Sequence, residues 1–140
     1  MVTAVLLVAA GCGPGTLPRA EYAQQAASIC AQLHADIEDA GRSVSAETGA
    51  ELVRAGAAAN QLRRQAVEEL RALGDPDEDA ETVRAMIAAM EEQVDKLEAA
   101  DEALADGDPG RMVELIEEAG EANREARRLA EGLGIAPCAG

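Results

Sequence analysis

The sequence has almost no aromatic residues and few basic ones. Tyr22 is its only aromatic residue, which removes the stacking platforms that single-stranded nucleic-acid and sugar binders use. Lys and Arg number 12 against 27 Asp and Glu, giving a formal net charge of -15. Such a charge repels phosphate backbones and anionic lipid surfaces. We therefore expect no nucleic-acid partner.

The sequence also lacks the motifs of common catalytic sites. It contains no nucleophile elbow, no phosphate-binding glycine loop and no HExxH zinc motif. A di-iron bundle needs two Glu-x-x-His pairs, whereas this chain has a single histidine, His34. We expect no enzymatic activity and no cofactor.

The sequence has no long apolar run, and its longest uncharged apolar stretch lies near the N-terminus. Residues 2–10 are uncharged, but a membrane-spanning helix needs about 20 apolar residues. Small residues lead from this run to Cys12, in a pattern that resembles the lipobox of bacterial lipoproteins. The resemblance implies a signal peptide over residues 1–11 and a lipid on Cys12. The alternative, a first buried helix over residues 1–12, conflicts with the glycines and the proline at its end.

This reading divides the chain into three parts. Residues 1–11 are the predicted lipoprotein signal peptide, residues 12–17 the lipid anchor and tether, and residues 18–140 the folded domain. The expected location is extracytoplasmic, on the outer face of the cytoplasmic membrane. The protein is expected to bind this membrane through its N-terminal lipid.

Apolar residues in the folded domain recur at helical spacing. Four helices are predicted, over about residues 18–40, 46–73, 76–106 and 109–132. Their N-caps are Ser45, Asp75 and Asp108, with Pro76 and Pro109 at first helical positions and Glu78 completing a capping box. Gly41, Gly74 and Gly107 are placed to end the first three. Because the connections are short, we expect an all-α, up-down-up-down antiparallel four-helix bundle.

Each helix has an apolar stripe that we expect to face the core. On the first two helices the stripe comprises Tyr22, Ala26, Ile29, Cys30, Leu33, Ile37, Leu52, Gly56, Ala59, Leu62, Ala66, Leu70 and Leu73. On the last two it comprises Val83, Ile87, Met90, Val94, Leu97, Leu104, Met112, Leu115, Ala119, Ala122, Ala126, Leu129 and Leu133. Asp101 falls where an apolar residue would fit, and Arg63 and Arg64 lie on the second helix. A partly polar groove there would favour ligand binding.

The cysteine count bears on how the bundle is closed. If Cys12 carries lipid, Cys30 and Cys138 remain as one available pair. The tail after the fourth helix reaches about 20 Å when extended, which is sufficient to meet the first helix. Pro137 biases Ala136 towards such an extended conformation. The alternative is two unpaired thiols.

Two short motifs carry a resemblance to a known group of proteins. "EYAQQAASIC" at residues 21–30 and "GLGIAPCAG" at residues 132–140 resemble the two ends of a group of secreted or lipid-anchored helical proteins common in actinobacteria. The resemblance implies a disulfide between Cys30 and Cys138 and an extracytoplasmic location, and it implies no activity.

Two cation sites are weaker alternatives. Cys30 and His34 are spaced i and i+4, and with Cys138 they would offer three ligands to zinc or copper; the disulfide explains these cysteines better, and no metal is expected. The methionines Met86, Met90 and Met112 are predicted to be core residues. An acidic run is predicted to be a solvated face that binds divalent cations weakly at most: Glu114, Glu117, Glu118, Glu121 and Glu125.

The leading functional hypothesis is a lipid-anchored, disulfide-closed helical bundle that acts as a structural or protein-interaction module, with a protein partner still to be identified. The alternative is a ligand-binding lipoprotein that holds a small apolar molecule between its alanine-lined helices, or a cation on its acidic face. The two differ in one observable respect, because only the second requires a pocket of useful volume.

Overall fold

A computed structural model describes residues 16–42 and 49–139, and these residues form an all-helical bundle. The elements are α1 (Arg19–Arg42), α2 (Gly49–Ala72), α3 (Ala80–Ala105), α4 (Pro109–Leu133) and the single turn α5 (Ala136–Ala139). The four long helices run up-down-up-down, with α1 packed on α2, α2 on α3 and α3 on α4, while α5 lies against both α4 and α1. The predicted fold class is therefore confirmed.

The turn between α3 and α4 forms as predicted. Asp108 is the N-cap of α4, and its Oδ1 accepts a hydrogen bond from the Arg111 backbone N–H at 2.9 Å. Pro109 occupies the first helical position. Gly107 has a φ of 77°, a backbone conformation that residues with a Cβ rarely adopt. All of these signals are local in sequence, which is why the pattern alone located the turn.

The prediction that α3 starts at Pro76 is wrong. The helix begins at Ala80, after Asp79 in a left-handed conformation with a φ of 61°. Pro76 instead forms an isolated bridge with Leu17, and the Asp77 backbone N–H donates to the Leu17 carbonyl at 2.9 Å. Because this backbone is engaged by a distant segment, it does not form a first helical turn, and the predicted capping box is not used.

The same loop holds the start of α1. Asp77 Oδ1 accepts a hydrogen bond from the Arg19 backbone N–H at 2.8 Å, and Asp79 Oδ2 lies 2.6 Å from Arg19 Nε. A helix N-terminus leaves its first N–H groups without intrahelical partners, so Asp77 supplies a cap from another part of the chain. We call residues 74–79 the α1 clamp.

The C-terminal tail is compact, which corrects the expectation that it is extended. Gly134, with a φ of 75°, ends α4, and Ile135 is buried. Ala136 then begins the short helix α5. Since α5 lies against α1, Cys138 reaches its partner without an extended tail.

The core is divided into two clusters. The larger, which we call the basal core, comprises Tyr22, Ala26, Cys30, Val67, Leu70, Val83, Met86, Ile87, Ala130, Leu133, Ile135 and Ala139. The smaller, the hairpin core, comprises Ala100, Ala103 and Leu115, next to the α3–α4 turn. Two separate clusters indicate that apolar packing is not continuous along the bundle.

Two large apolar residues of the predicted stripes are exposed to solvent. Leu52 is 59% exposed and Leu104 is 40% exposed. Both lie near helix ends, where fewer neighbouring side chains are present to cover them. On α2 the buried face passes instead through Asn60 and Val67.

Four predictions fall wholly or mostly outside the described residues. They are the signal peptide over residues 1–11, the lipidation of Cys12, the tether over residues 12–17, of which only residues 16 and 17 are described, and the N-cap at Ser45.

Candidate ligand cavity

A disulfide joins α1 to α5. Cys30 and Cys138 have Cα atoms 5.1 Å apart and are separated by 108 residues in sequence. Cys30 is a buried member of the basal core, and the half-buried Cys138 packs against it. The pairing that the resemblance implied is thus present, and it fixes the C-terminal end of the chain on the first helix.

A half-open cavity of about 390 Å³ lies beside this disulfide, with lining residues from all five helices. Its apolar wall is formed by five side chains next to the disulfide: Leu33, Ile37, Val67, Met90 and Val94. Its polar wall comprises His34, Glu38, Arg63, Gln93 and Asn123. The volume falls within the range of about 300 to 1,000 Å³ that is typical of small-molecule sites.

The sequence of α4 explains why the interior is not filled. Between Leu115 and Leu133 the buried residues of this helix are all alanines. Alanine lets helices approach closely but fills little of the space between them. In addition, α5 lies between α1 and α4 at the base of the bundle. The small side chains of α4, together with α5 packed between its neighbours, leave the space beside the disulfide unfilled.

Arg63 lines the cavity from α2. Its Nη1 donates to Asn60 Oδ1 at 2.9 Å, and Asn60 Nδ2 donates in turn to Asp101 Oδ2 at 2.9 Å. Burial lowers the pKa of Arg63, and attraction by Asp101 opposes this effect. Within residues 16–42 and 49–139, Arg63 makes no direct ion pair with a carboxylate.

The adjacent Arg64 has the opposite environment. Its Nη2 contacts Asp95 Oδ1 at 2.8 Å and also pairs with Glu98. The hydrogen bonds that Arg64 donates to Glu98 and then to Asp95 raise the pKa of Arg64. This side chain borders a separate groove of about 330 Å³ with Glu98 and Asp101. The partly polar groove that would favour ligand binding is therefore present, and the two arginines lie on different surfaces.

The thiolate metal site considered from the sequence does not form. Cys30 and Cys138 are consumed by their disulfide, and His34 is exposed at the cavity wall. Across the residues with described positions, no group of three or more His, Cys, Asp or Glu is placed to hold a metal ion. Met90 lines the cavity, whereas Met112 packs against the hairpin core.

The acidic run on α4 is occupied by surface ion pairs. Glu118 accepts a hydrogen bond from Lys96 at 2.5 Å and lies 3.6 Å from Arg111. The hydrogen bond from Lys96 is the largest cause of the lowered pKa of Glu118. Glu125 pairs in the same way with Arg128 at 2.6 Å. Exposed pairs of this kind contribute little to stability, and the run forms a solvated face.

Sequence reasoning noticed Asp101 and Arg63 but missed the residue that joins them. Asn60 is only 5% exposed and bonds to both. It lies three residues before Arg63, hence on the same face of α2. The predicted stripe passed through Gly56 and Ala59 instead, because apolar or small residues were taken to mark the buried face.

Comparisons of the chain with protein-family models, with curated proteins and with solved structures find no match. Among the helices of the described residues, none is both long and apolar enough to cross a membrane. Function is therefore inferred from the cavity and its side chains.

Proposed function

We propose that this protein binds a small molecule in the cavity beside the Cys30–Cys138 disulfide while a lipid on Cys12 tethers it to the outer face of the cytoplasmic membrane. The observation that carries the proposal is the cavity itself, with about 390 Å³ of space and a wall that combines apolar and polar side chains. Concave sites of this volume are the usual form of small-molecule sites.

The energetics of the cavity support the same conclusion. An apolar ligand that covers the partly exposed side chains of Leu33, Ile37 and Met90 removes apolar surface from water, which contributes roughly 25 cal/mol for each Å². The basal core, to which Cys30 and Val67 of the cavity wall belong, holds this part of the wall in place before binding. Little ordering is then required when the ligand enters, and pre-organised sites bind more tightly for this reason.

Matched valine variants test the proposal. The full-length chain carrying Cys12→Ser, which removes the free thiol and the lipidation site, is incubated with a lipid extract of producing cells and studied by native mass spectrometry. Val94→Phe places a ring at the buried cavity wall, whereas Val113→Phe makes the same change at a position on α4 that is 49% exposed. We expect one added noncovalent mass in the parent chain and in the Val113 variant, and none in the Val94 variant. An added mass that persists in Val94→Phe contradicts the cavity assignment, and no added mass in any chain contradicts ligand binding.

The tether requires its own measurement. The mass of the chain extracted from membranes is expected to correspond to a start at Cys12 with added lipid. A chain that begins at Met1 without lipid contradicts the anchor but leaves the cavity proposal intact. The disulfide supports the proposed location, because such bonds persist mainly in oxidising compartments.

A separate observation favours protein interaction as the second candidate function. Leu104, Val113 and Ile116 are large apolar side chains that are 40%, 49% and 48% exposed near the α3–α4 turn. Crosslinking in intact cells tests this candidate with Ile116→Ser and Val94→Phe. A protein crosslink lost in the Ile116 variant and kept in the Val94 variant supports it, while an unchanged crosslink pattern contradicts it.

A further inference from the structure

The distribution of polar groups in the cavity indicates the chemistry of its ligand. We infer that the cavity binds a single-chain amphiphile with an anionic head group, of which a medium-chain carboxylate is the simplest case. Its apolar tail lies against the disulfide, and its head group accepts hydrogen bonds from Arg63. This inference rests on the proposed function and names the ligand class.

The tail end of the cavity is apolar. Cys30 and Val67 belong to the basal core, and Met90 and Cys138 pack against it while also lining the cavity. These side chains form a floor of sulfur and aliphatic carbon. Hydrocarbon placed on such a floor gains contacts that empty space does not supply.

The head-group end is defined by Arg63. It lies four residues before Val67 on α2, which is about 6 Å further from the floor along the helix axis. A guanidinium carries five N–H donors in a planar fork that matches a carboxylate, and one hydrogen bond, to Asn60, is present. The amides of Gln93 and Asn123 line the same cavity and add neutral donors.

Burial and charge both favour an anion at this position. The Arg63 guanidinium is partly desolvated, and its attraction to Asp101 is relayed by a neutral amide. An anion that enters the cavity supplies the direct partner that Arg64 already has in Glu98 and Asp95. Charge-assisted bonds to a guanidinium are stronger than neutral hydrogen bonds.

Two negative features of the protein do not outweigh this contact. The net charge of -15 disfavours anions at long range, but salt screens such interactions beyond about 8 Å at physiological ionic strength. Glu38 also lines the cavity, and its side chain is exposed to solvent, where a carboxylate stays hydrated. Direct contact with Arg63 therefore decides the preference.

A head-group series tests the inference. Octanoate, octanol and octylamine share one tail and differ in charge, and each is titrated into the full-length Cys12→Ser chain by calorimetry. We expect octanoate to bind roughly tenfold more tightly than octanol, a difference of about 1.4 kcal/mol, and octylamine to bind most weakly. Arg63→Gln is expected to weaken octanoate by about the same factor and to leave octanol within roughly twofold, because only the charged contact is lost. The matched control Arg64→Gln is expected to change neither.

Several results would overturn the inference. Equal binding of octanoate and octanol, tightest binding of octylamine, or an equal loss of all three ligands in Arg63→Gln each contradict an anion contact at Arg63. In these cases the extract experiment with Val94→Phe still decides the proposed function, because calorimetry does not report where a ligand binds. If none of the three binds, the inference fails, and the extract experiment with Val94→Phe decides the proposed function independently. If circular dichroism shows that Arg63→Gln does not fold, the Arg63→Lys variant and the ligand series in the parent chain test the inference instead. We expect Arg63→Lys to lose part of the octanoate affinity.

Discussion

Tyr22 is the largest fully buried side chain among the described residues. Because it is the only aromatic residue of the sequence, near-ultraviolet absorbance can follow its ionisation. Its hydroxyl is buried and has no hydrogen-bond partner among the residues whose positions are described. Burial, with a smaller contribution from Asp75, raises the pKa of Tyr22 from 10.0 to about 12. A group buried in its neutral form couples stability to pH.

Alkaline titration is therefore expected to destabilise the protein in a defined pH interval. The unfolded chain releases the tyrosine proton near pH 10.0 and the native chain near 12, so the free energy of unfolding falls as pH rises between these values. The total fall is about 2 to 3 kcal/mol. Near-ultraviolet absorbance and circular dichroism measure ionisation and folding together, and Tyr22→Phe removes this contribution. Tyrosinate that forms near pH 10 in a fully helical chain would contradict the buried state.

Asn60 connects the cavity wall to the polar groove, and its loss is expected to be costly. Asn60→Ala leaves Arg63 and Asp101 without their shared partner, which lowers the free energy of unfolding by about 1 to 3 kcal/mol. Urea denaturation of the full-length chain measures the change. The exposed neighbour Gln61 is the control, since Gln61→Ala is expected to change stability by less than about 0.5 kcal/mol. Equal effects of the two substitutions would show that the relay does not contribute.

The polar residues beside the cavity were only partly predictable from the sequence. Asp101 interrupts an apolar stripe, and such a misfit marks a position with a polar partner or a functional role. Asn60 gave no comparable signal, because one buried amide among alanines resembles an ordinary exposed helical residue. Its burial depends on the approach of α2 to α3, where a Cβ added to Gly56 would lie 3.4 Å from Asp101 Oδ1. That approach is a tertiary property.

At the scale of elements, the α1 clamp is the clearest departure from local rules. The sequence places a capping box on Asp75 and Glu78, whereas the structure uses Asp77 to cap α1. Local signals located the α3–α4 turn correctly because every partner lies within a few residues. The clamp escaped the same reasoning because its partner, Leu17, lies far away in sequence.

Substitutions in the clamp distinguish the two arrangements. Asp77→Ala removes the cap on the Arg19 backbone N–H and is expected to lower the free energy of unfolding by about 1 kcal/mol. Glu78→Ala is expected to have almost no effect, because α3 begins after this residue and its side chain is exposed. Thermal or urea unfolding measures both. A larger loss for Glu78 than for Asp77 would support the capping box and contradict the clamp.

At the scale of the whole molecule, the disulfide compensates for a core that is rich in alanine. Alanine buries little apolar area, so each buried residue contributes less than a leucine would. The Cys30–Cys138 bond closes a loop of 108 residues by sequence separation. In the chain-entropy model, a closure of this length destabilises the unfolded chain by about 4 to 5 kcal/mol.

Reduction is accordingly expected to reduce stability sharply. The free energy of unfolding of the full-length Cys12→Ser chain should fall by about 4 kcal/mol in the presence of a reductant. The double variant Cys30→Ser and Cys138→Ser should behave like the reduced chain and should not respond to reductant. Urea unfolding curves measure all three samples. Identical midpoints for oxidised and reduced protein would exclude a stabilising role for the bond.

Helical periodicity and short connections were sufficient to predict the bundle and its topology. They did not predict the cavity, because its volume depends on how far α5 separates α1 from α4 and on the alanines of α4. The sequence shows that α4 presents small alanine side chains. It does not show whether side chains from another helix fill the space beside them. The expectation of a simple interaction module gives way to a ligand-binding proposal for this reason.

One measurement tests the cavity as a ligand site most directly. Intermolecular nuclear Overhauser effects are recorded between octanoate and the methyl groups of the isotope-labelled full-length Cys12→Ser chain. We predict that the octanoate tail contacts the methyl groups of Val67, Met90 and Val94, which line the cavity. Contacts confined to the exposed side chains Leu104, Val113 and Ile116 would instead place the ligand on the outer surface and contradict a binding site inside the bundle.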